Sequence, residues 1–206
     1  MVKAFPCQLV SLQEVYDLSF QLALTIRDSN YKPDVVVAVA RGGFPPARFL
    51  CDFLGVSAMT SVKVEHYRPG GQAQQRAVVR YPLSGDVSGQ RVLLADDVND
   101  SGDTLAAARD HLKAADPAEV RTAVLHEKAG TSTGADYWVE YVREWRWIIY
   151  PWAVTEDVGS FLQGMEPPPR DHADAARRLA QDYGIDIDQA WLEKLFQLVE
   201  VEAPGH

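Results

Sequence analysis

The stretch VLLADDVNDSGDTL, Val92 to Leu105, runs from four apolar residues into two adjacent aspartates and then a polar Asn-Asp-Ser-Gly-Asp-Thr turn. The apolar run predicts a buried strand over Val92–Ala95, and the pattern after the turn predicts a helix over Thr104–Ala115. A strand that feeds a helix through a tight Gly-containing turn presents backbone N–H groups without intrahelical partners, and with the helix dipole these make an anion site. Ser101, Gly102 and Thr104 add hydroxyls and one flexible backbone position, the chemistry of a phosphate cradle. Neither GxxxxGK[ST] nor GxGxxG occurs, so this is not a Walker loop or a dinucleotide fingerprint. Asp96 and Asp97 repel each other unless a cation or a neutral group rich in donors lies between them. The vicinal hydroxyls of a ribose, with a magnesium ion nearby, would answer both needs. Capping of neighbouring amides is the plainer alternative.

Outward from this stretch the chain alternates strands and helices. Val35–Ala40 is a continuous apolar, β-branched run, as in a strand covered on both faces. Arg41-Gly42-Gly43 follows it, and Pro45-Pro46 opens a helix whose apolar face is Ala47, Leu50, Cys51 and Leu54, ended by Gly55. Val56–Val64 and Val120–His126 read as further strands, Val78–Tyr81 as a short one, and Trp145–Tyr150 as aromatic and β-prone. Glu65 to Ala77 is a polar loop without apolar period. The expected fold is α/β, a mostly parallel twisted sheet flanked by helices. The turns after Ala40, Ala95 and His126 then converge beyond the carboxyl ends of the strands, where such sheets bind ligands. Beyond a Pro-rich stretch, Met165–Arg170, two helices are expected, Asp171–Tyr183 ended by Gly184 and Asp188–Val201 with Asp188 as N-cap. In the second, Trp191, Leu192, Leu195, Phe196 and Val199 share one face, a packing stripe. The expected division is a core with a small hood over 1–164, its hood strands near 137–157, and a linker with a C-terminal helical extension over 165–206.

The 206 residues suffice for one such domain with an appendage. A formal net charge of −9 argues against a nucleic-acid or anionic-membrane surface, so positive partners for a phosphate must be local. The longest apolar run is too short to span a bilayer. The N-terminal residues lack the apolar core of a secretory signal, and Cys7 and Cys51 match neither a disulfide framework nor a zinc spacing. A soluble, cytoplasmic protein is expected.

VLLADDVNDSGDT closely resembles the signature of the type I phosphoribosyltransferases, which transfer ribose 5-phosphate from PRPP to a base. VAVARGGFPPARFLCDFLG, Val37 to Gly55, is similar to the family's pyrophosphate loop and following helix, especially in xanthine-guanine enzymes. The resemblance covers about Asp34 to Asp157, and two ordered blocks are more specific than one. It implies the family's fold, with a small hood and here a C-terminal helical extension, and a Mg2+-dependent displacement at C1 of PRPP. Asp96 and Asp97 would hold the ribose hydroxyls, directly or through magnesium. Asp100, Ser101, Gly102, Asp103 and Thr104 would grip the 5′-phosphate. Arg41, Gly42, Lys63 and Tyr67 would bind pyrophosphate, the Arg41-Gly42 bond being one that is often cis in the family. Asp100 occupies the position where 6-oxopurine enzymes carry an Asp that exchanges a proton with purine N7; it also reads as a helix N-cap, and the two roles are compatible.

His126-Glu-Lys128 is similar to the segment whose lysine donates to purine O6. Trp145–Trp152 resembles the hood segment, with Trp147 as the ring stacked on the base and Ile148 supplying backbone contacts. The Glu65–Ala77 loop falls where the family has a mobile lid, and Arg68 and Arg76 would help hold pyrophosphate. Glu156 or Asp157 would serve a second magnesium. Asp103 departs from the Gly or Lys usual there, a carboxylate unfavourable beside phosphate unless it points away. The segments KVEH and EWRWIIYPW resemble archaeal-type purine enzymes, some of which prefer adenine. The resemblance therefore implies a purine salvage enzyme acting on hypoxanthine, guanine or xanthine, with adenine on the same scaffold as the alternative. It also implies a homodimer or higher homo-oligomer. A non-enzymatic PRPP-sensing regulator is the other class, and the acidic tail is unlike a DNA-binding module.

Overall fold

The computed structural model describes residues 5–67 and 76–198. Their contacts divide the chain into two units, Gln13–Glu144 and a second formed by Met1–Leu12 with Trp145–His206. The division does not fall at residue 164.

In the larger unit, α1 (Leu12–Asp28) precedes β2 (Val35–Ala40), α2 (Phe44–Leu54), β3 (Ala58–Tyr67), β4 (Arg76–Tyr81), β5 (Arg91–Asn99), α3 (Asp103–Lys113), β6 (Glu119–Lys128) and β7 (Tyr137–Val142). The strands form one sheet of order β4-β3-β2-β5-β6-β7, parallel except for the antiparallel β3–β4 pair. Val35, Val37 and Val39 of β2 and Val92 and Leu94 of β5 pack with Leu105, Ala108 and Leu112 of α3. Val36, Ala38, Leu93 and Ala95, which alternate to the opposite face, are equally buried, so the central strands are covered on both sides as their continuous apolar runs require. Gly55, at φ 67°, ends α2 in the left-handed conformation that a Cβ disfavours.

Four strands depart from the sequence reading. β5 does not stop at Ala95: its ladder with β6 continues through Asp96↔Val124, Val98↔His126 and Asn99↔Glu127. The acidic pair thus lies inside a strand, because the neighbouring β6 supplies pairing that local polarity does not reveal. β3 and β4 extend into the expected polar loop, Tyr67 pairing with Arg76, while the rest of the proposed lid, residues 68–75, lies outside the described residues. β7, expected near the hood, is the edge strand of this main sheet, parallel to β6.

In the second unit β1 (Cys7–Leu9) pairs in parallel with β8 (Trp147–Ile149), and α4 (Val154–Gln163), α5 (His172–Tyr183) and α6 (Gln189–Phe196) complete it. Asp171 and Asp188 cap α5 and α6, accepting from Asp174 N and Trp191 N, and Gly184 ends α5 at φ 69°. Leu192 and Leu195 of the expected stripe are buried with Ile149, Val158, Leu162 and Leu179. Trp191 is 39% exposed, and Val199 lies outside the described residues. Among the described residues no helix is long and apolar enough to cross a membrane.

Candidate active site

The parallel sheet gathers the predicted residues of the larger unit at the carboxyl ends of β2, β5 and β6. The loop after β2 passes close over β5. A Cβ on Gly42 would lie 2.2 Å from Asp97 Oδ2 and 2.7 Å from its Cγ, and one on Gly43 would lie 2.4 Å from the Ala95 carbonyl oxygen. Two glycines are what allow this approach, and they set the Arg41 loop against the acidic pair. The cis peptide is Ala40–Arg41, one bond earlier than the Arg41-Gly42 expectation. Lys63 pairs in register with Ala40, which puts it beside this loop; its Nζ is 2.7 Å from Glu65 Oε1. The side chain of Tyr67 lies outside the described residues.

Asp96 is buried, and its Oδ1 accepts from Asp97 N at 2.9 Å; Asp97 Oδ1 in turn accepts from Val98 N at 2.8 Å. Burial, then the neighbouring Asp97 charge, pushes the Asp96 carboxyl well above the usual carboxylate range. Such a pair gains from a cation or from sugar hydroxyls brought to it. Among the described residues no three His, Cys, Asp or Glu side chains converge on a metal site. Two carboxylates fit a hard ion that keeps waters and takes further oxygens from a phosphorylated substrate, which is the habit of Mg2+.

The turn proper is Asp100–Gly102. Gly102, at φ 92°, precedes α3 and provides no side-chain cap. The first N–H groups of α3 therefore face the turn with the positive end of the dipole behind them. Asp103 does not project as a bare charge into that space: Ser101 Oγ donates to its Oδ2 at 3.0 Å, and Asp103 N donates to Ser101 Oγ at 3.3 Å. It begins α3, where a carboxylate is favoured by the dipole. A residue not singled out from the sequence also reaches the start of α3: His66 Nε2, near the end of β3, is 3.1 Å from Thr104 Oγ1.

At the tips of β5 and β6, Lys128 Nζ is 2.7 Å from Asp100 Oδ2. The Lys128 side chain is 3% exposed and that of Asp100 40%, so the lysine is fixed and the carboxylate offered outward. One rung earlier, Asn99 Nδ2 donates to both oxygens of Glu127, at 3.1 and 3.0 Å. The sequence reading missed this buried pair, which becomes visible only once β5 and β6 are in register.

The remaining predicted residues, Trp147, Ile148, Glu156 and Asp157, belong to the second unit. Trp147 and Ile148 form β8, with Ile148 buried and Trp147 38% exposed. Trp147 hydrogen-bonds Asp157, whose carboxyl is nevertheless raised because burial outweighs that bond. Glu156 and Asp157 occupy the first turn of α4, where the dipole favours them.

An open, mostly parallel sheet that brings a glycine-tight loop, an acidic pair and the turn before α3 together toward the carboxyl ends of its strands is the arrangement of a ligand-binding α/β domain. The comparisons with known proteins agree. Residues 8–157 match the Phosphoribosyl transferase domain model, and the chain belongs to that family. A "Xanthine-guanine phosphoribosyltransferase" of Ruegeria sp. is 30% identical over 157 residues, covering 70% of this chain and 82% of its own. Another protein so named, from Gluconobacter oxydans, is 32% identical over 133 residues, covering 64% and 75%. A solved "purine phosphoribosyltransferase" from Pyrococcus horikoshii aligns with TM-score 0.63 at 34% identity, covering 71% of this chain and 93% of that one.

Proposed function

We propose that this protein is a purine phosphoribosyltransferase of nucleotide salvage, transferring 5-phosphoribosyl from PRPP to N9 of a 6-oxopurine with release of pyrophosphate. The observation that carries this is the Lys128–Asp100 pair at 2.7 Å, whose aspartate opens the turn before α3. In a 6-oxopurine, O6 and N7 lie on one edge of the ring. A lysine ammonium can only donate, which suits a carbonyl O6 and not the amino group of adenine. The carboxylate beside it accepts the N7 proton as N9 bonds to C1 of the sugar. The xanthine-guanine relatives support the same substrate class.

In this reading Asp96 and Asp97 hold the ribose hydroxyls and, with them, Mg2+, which supplies positive charge to the departing pyrophosphate. Their negative charge also favours the cationic character that develops at C1. The N–H groups at the start of α3, with Thr104 and His66, receive the 5′-phosphate. Arg41, Gly42 and Lys63 face the pyrophosphate, with Tyr67 assigned from the resemblance. Trp147 stacks on the base and Ile148 reads it through its backbone, and both roles rest on the resemblance. Glu156 or Asp157 remains the proposed partner of a second magnesium. The protein acts in the cytoplasm as a homodimer or higher homo-oligomer.

The test is a panel of hypoxanthine, guanine, xanthine and adenine assayed with PRPP, with and without Mg2+. Turnover of at least one oxopurine, dependent on the metal, is expected. Adenine alone reacting would overturn the substrate class, and no base reacting while PRPP binds would favour a sensor.

A further inference from the structure

Glu127 is buried, 4% exposed, and among the described residues the hydrogen bonds it accepts come from neutral donors. Asn99 Nδ2 reaches both its oxygens, Thr131 Oγ1 donates to Oε1 at 2.9 Å, and Ala135 N to Oε2 at 3.4 Å. A buried carboxylate with no cation paired to it among the described residues is a costly choice for packing alone. Its chemistry fits for one reason: a carboxylate is all acceptor, and its surroundings are all donors.

What this node holds is the loop that follows β6. Asn99 Nδ2, while donating to Glu127, also donates to Thr133 O at 2.8 Å, so one amide group ties the end of β5 to both the carboxylate and the loop. From the same loop Ser132 N and Ser132 Oγ each donate to Ser101 O at 2.8 Å. A Cβ on Gly102 would lie 2.6 Å from Thr133 N, so the loop is seated directly against the anion-binding turn. Asn99 and Glu127 are also paired in register, one residue before Asp100 and Lys128. The ladder therefore ends on a buried polar rung, and the Asp100–Lys128 ion pair, with only its aspartate half-open to solvent, follows one residue beyond it.

We infer that the Asn99–Glu127 rung is a positioning pair, which sets the phosphate turn through the 131–135 loop and aligns the Asp100–Lys128 ion pair that follows it. The inference rests on the phosphoribosyl-transfer reading of that site for its kinetic consequence, but the positioning is a property of this chain alone. Neither residue touches substrate. Their effect is to hold Ser101, Gly102 and the start of α3 in the geometry that receives phosphate, as outer partners do for directly binding groups.

The test compares wild type with Glu127→Gln, with the double variant Asn99→Leu/Glu127→Met, and with the mild Thr131→Val. Gln at position 127 keeps the shape but turns donors toward donors. In the double variant both polar partners are replaced together, which restores packing without the hydrogen bonds. Expected are a rise in the KM for PRPP of about tenfold in Glu127→Gln, and a rise that persists in the double variant even where its thermal midpoint recovers. Amide exchange of residues 101–103 and 132–135 should accelerate in all three variants, least in Thr131→Val, while the amides of α1 keep wild-type protection. A residue needed only for stability would lower the midpoint and leave KM and local exchange unchanged, and that result overturns the inference. Should wild type turn over no purine at all, the proposed reaction fails; faster exchange confined to those two segments would then still uphold the positioning pair, and unchanged exchange would sink it.

Discussion

Lys128 Nζ lies 2.7 Å from Asp100 Oδ2, and the two side chains belong to adjacent strand tips, one buried and one half-open to solvent. On the proposed reading, each has a distinct role toward a purine. Lys128→Met removes the donor to O6, so the KM for the oxopurine should rise about ten- to a hundredfold with the KM for PRPP little changed. Asp100→Asn keeps the shape and removes the base, so kcat should fall on the order of a hundredfold or more while PRPP still binds. Steady-state kinetics with each substrate varied in turn would check both. Loss of PRPP binding in Asp100→Asn would assign Asp100 to the architecture of the turn instead.

Gly42→Ala is expected to be far more damaging than its size suggests. The added methyl would sit 2.2 Å from Asp97 Oδ2, with the adjoining loop already tight against the Ala95 carbonyl. Either the carboxylate or the loop must move, and both belong to the proposed PRPP site. PRPP affinity, followed by calorimetry, should drop at least about tenfold, consistent with the cost of displacing packed groups. Unchanged affinity would show that the close approach of Arg41-Gly42 to Asp97 has no part in binding.

Asp103 offers a gain rather than a loss. Its carboxylate sits at the start of α3 and takes the Ser101 hydroxyl. Removing one negative charge near a bound phosphate should help binding, and the helix loses only a modest dipole interaction of roughly 0.3–1 kcal/mol. Asp103→Asn should therefore lower the KM for PRPP about two- to fivefold, by the same scale of interaction, with a slightly lower thermal midpoint. An increase in KM would mean that Asp103 helps shape the cradle through Ser101.

Acid stability should reveal the clasp between the starts of β2 and β5. Asp34 accepts from Arg91 Nη2 at 2.7 Å, Nε at 3.0 Å and backbone N at 2.8 Å. These side-chain and then backbone hydrogen bonds hold its carboxyl down to about 2. A lowered carboxylate binds fewer protons folded than unfolded, so its stabilisation is full above the ordinary aspartate value of about 4 and is lost as pH falls toward 2. Asp34→Asn should be less stable than wild type at neutral pH, and the gap in urea midpoint should close across that acidic window. A gap that stays constant with pH would remove the ion pair from the account.

Much of this molecule could be read locally. The β-branched run Val35–Ala40, the apolar Val92–Ala95, the glycine that ends α2, and the aspartates that cap α5 and α6 each carry their signal in adjacent residues, and the structure places them accordingly. Asp96, Asp97 and Asp100 stood out because charge beside a buried run is chemically anomalous. Other features had no local signal. α1 and α4 were not anticipated, and β7 was assigned to the hood although it joins the main sheet. Asn99 and Glu127 are unremarkable letters until a ladder puts them side by side.

The sequence by itself determined the class of the fold, the central strands with the helices that follow β2 and β5, and the acidic and glycine-bearing segments that would face a phosphorylated sugar. These are set by side-chain periodicity and turn chemistry within a few residues. Only the tertiary structure decided that β5 runs on through its aspartates, that Gly42 abuts Asp97, and that Lys128 meets Asp100 beyond a buried Asn99–Glu127 rung. The reason lies largely in register: pairing between strands far apart in the chain depends on the packing of the whole sheet, and a slip of one residue would turn Asn99 or Glu127 to the other face.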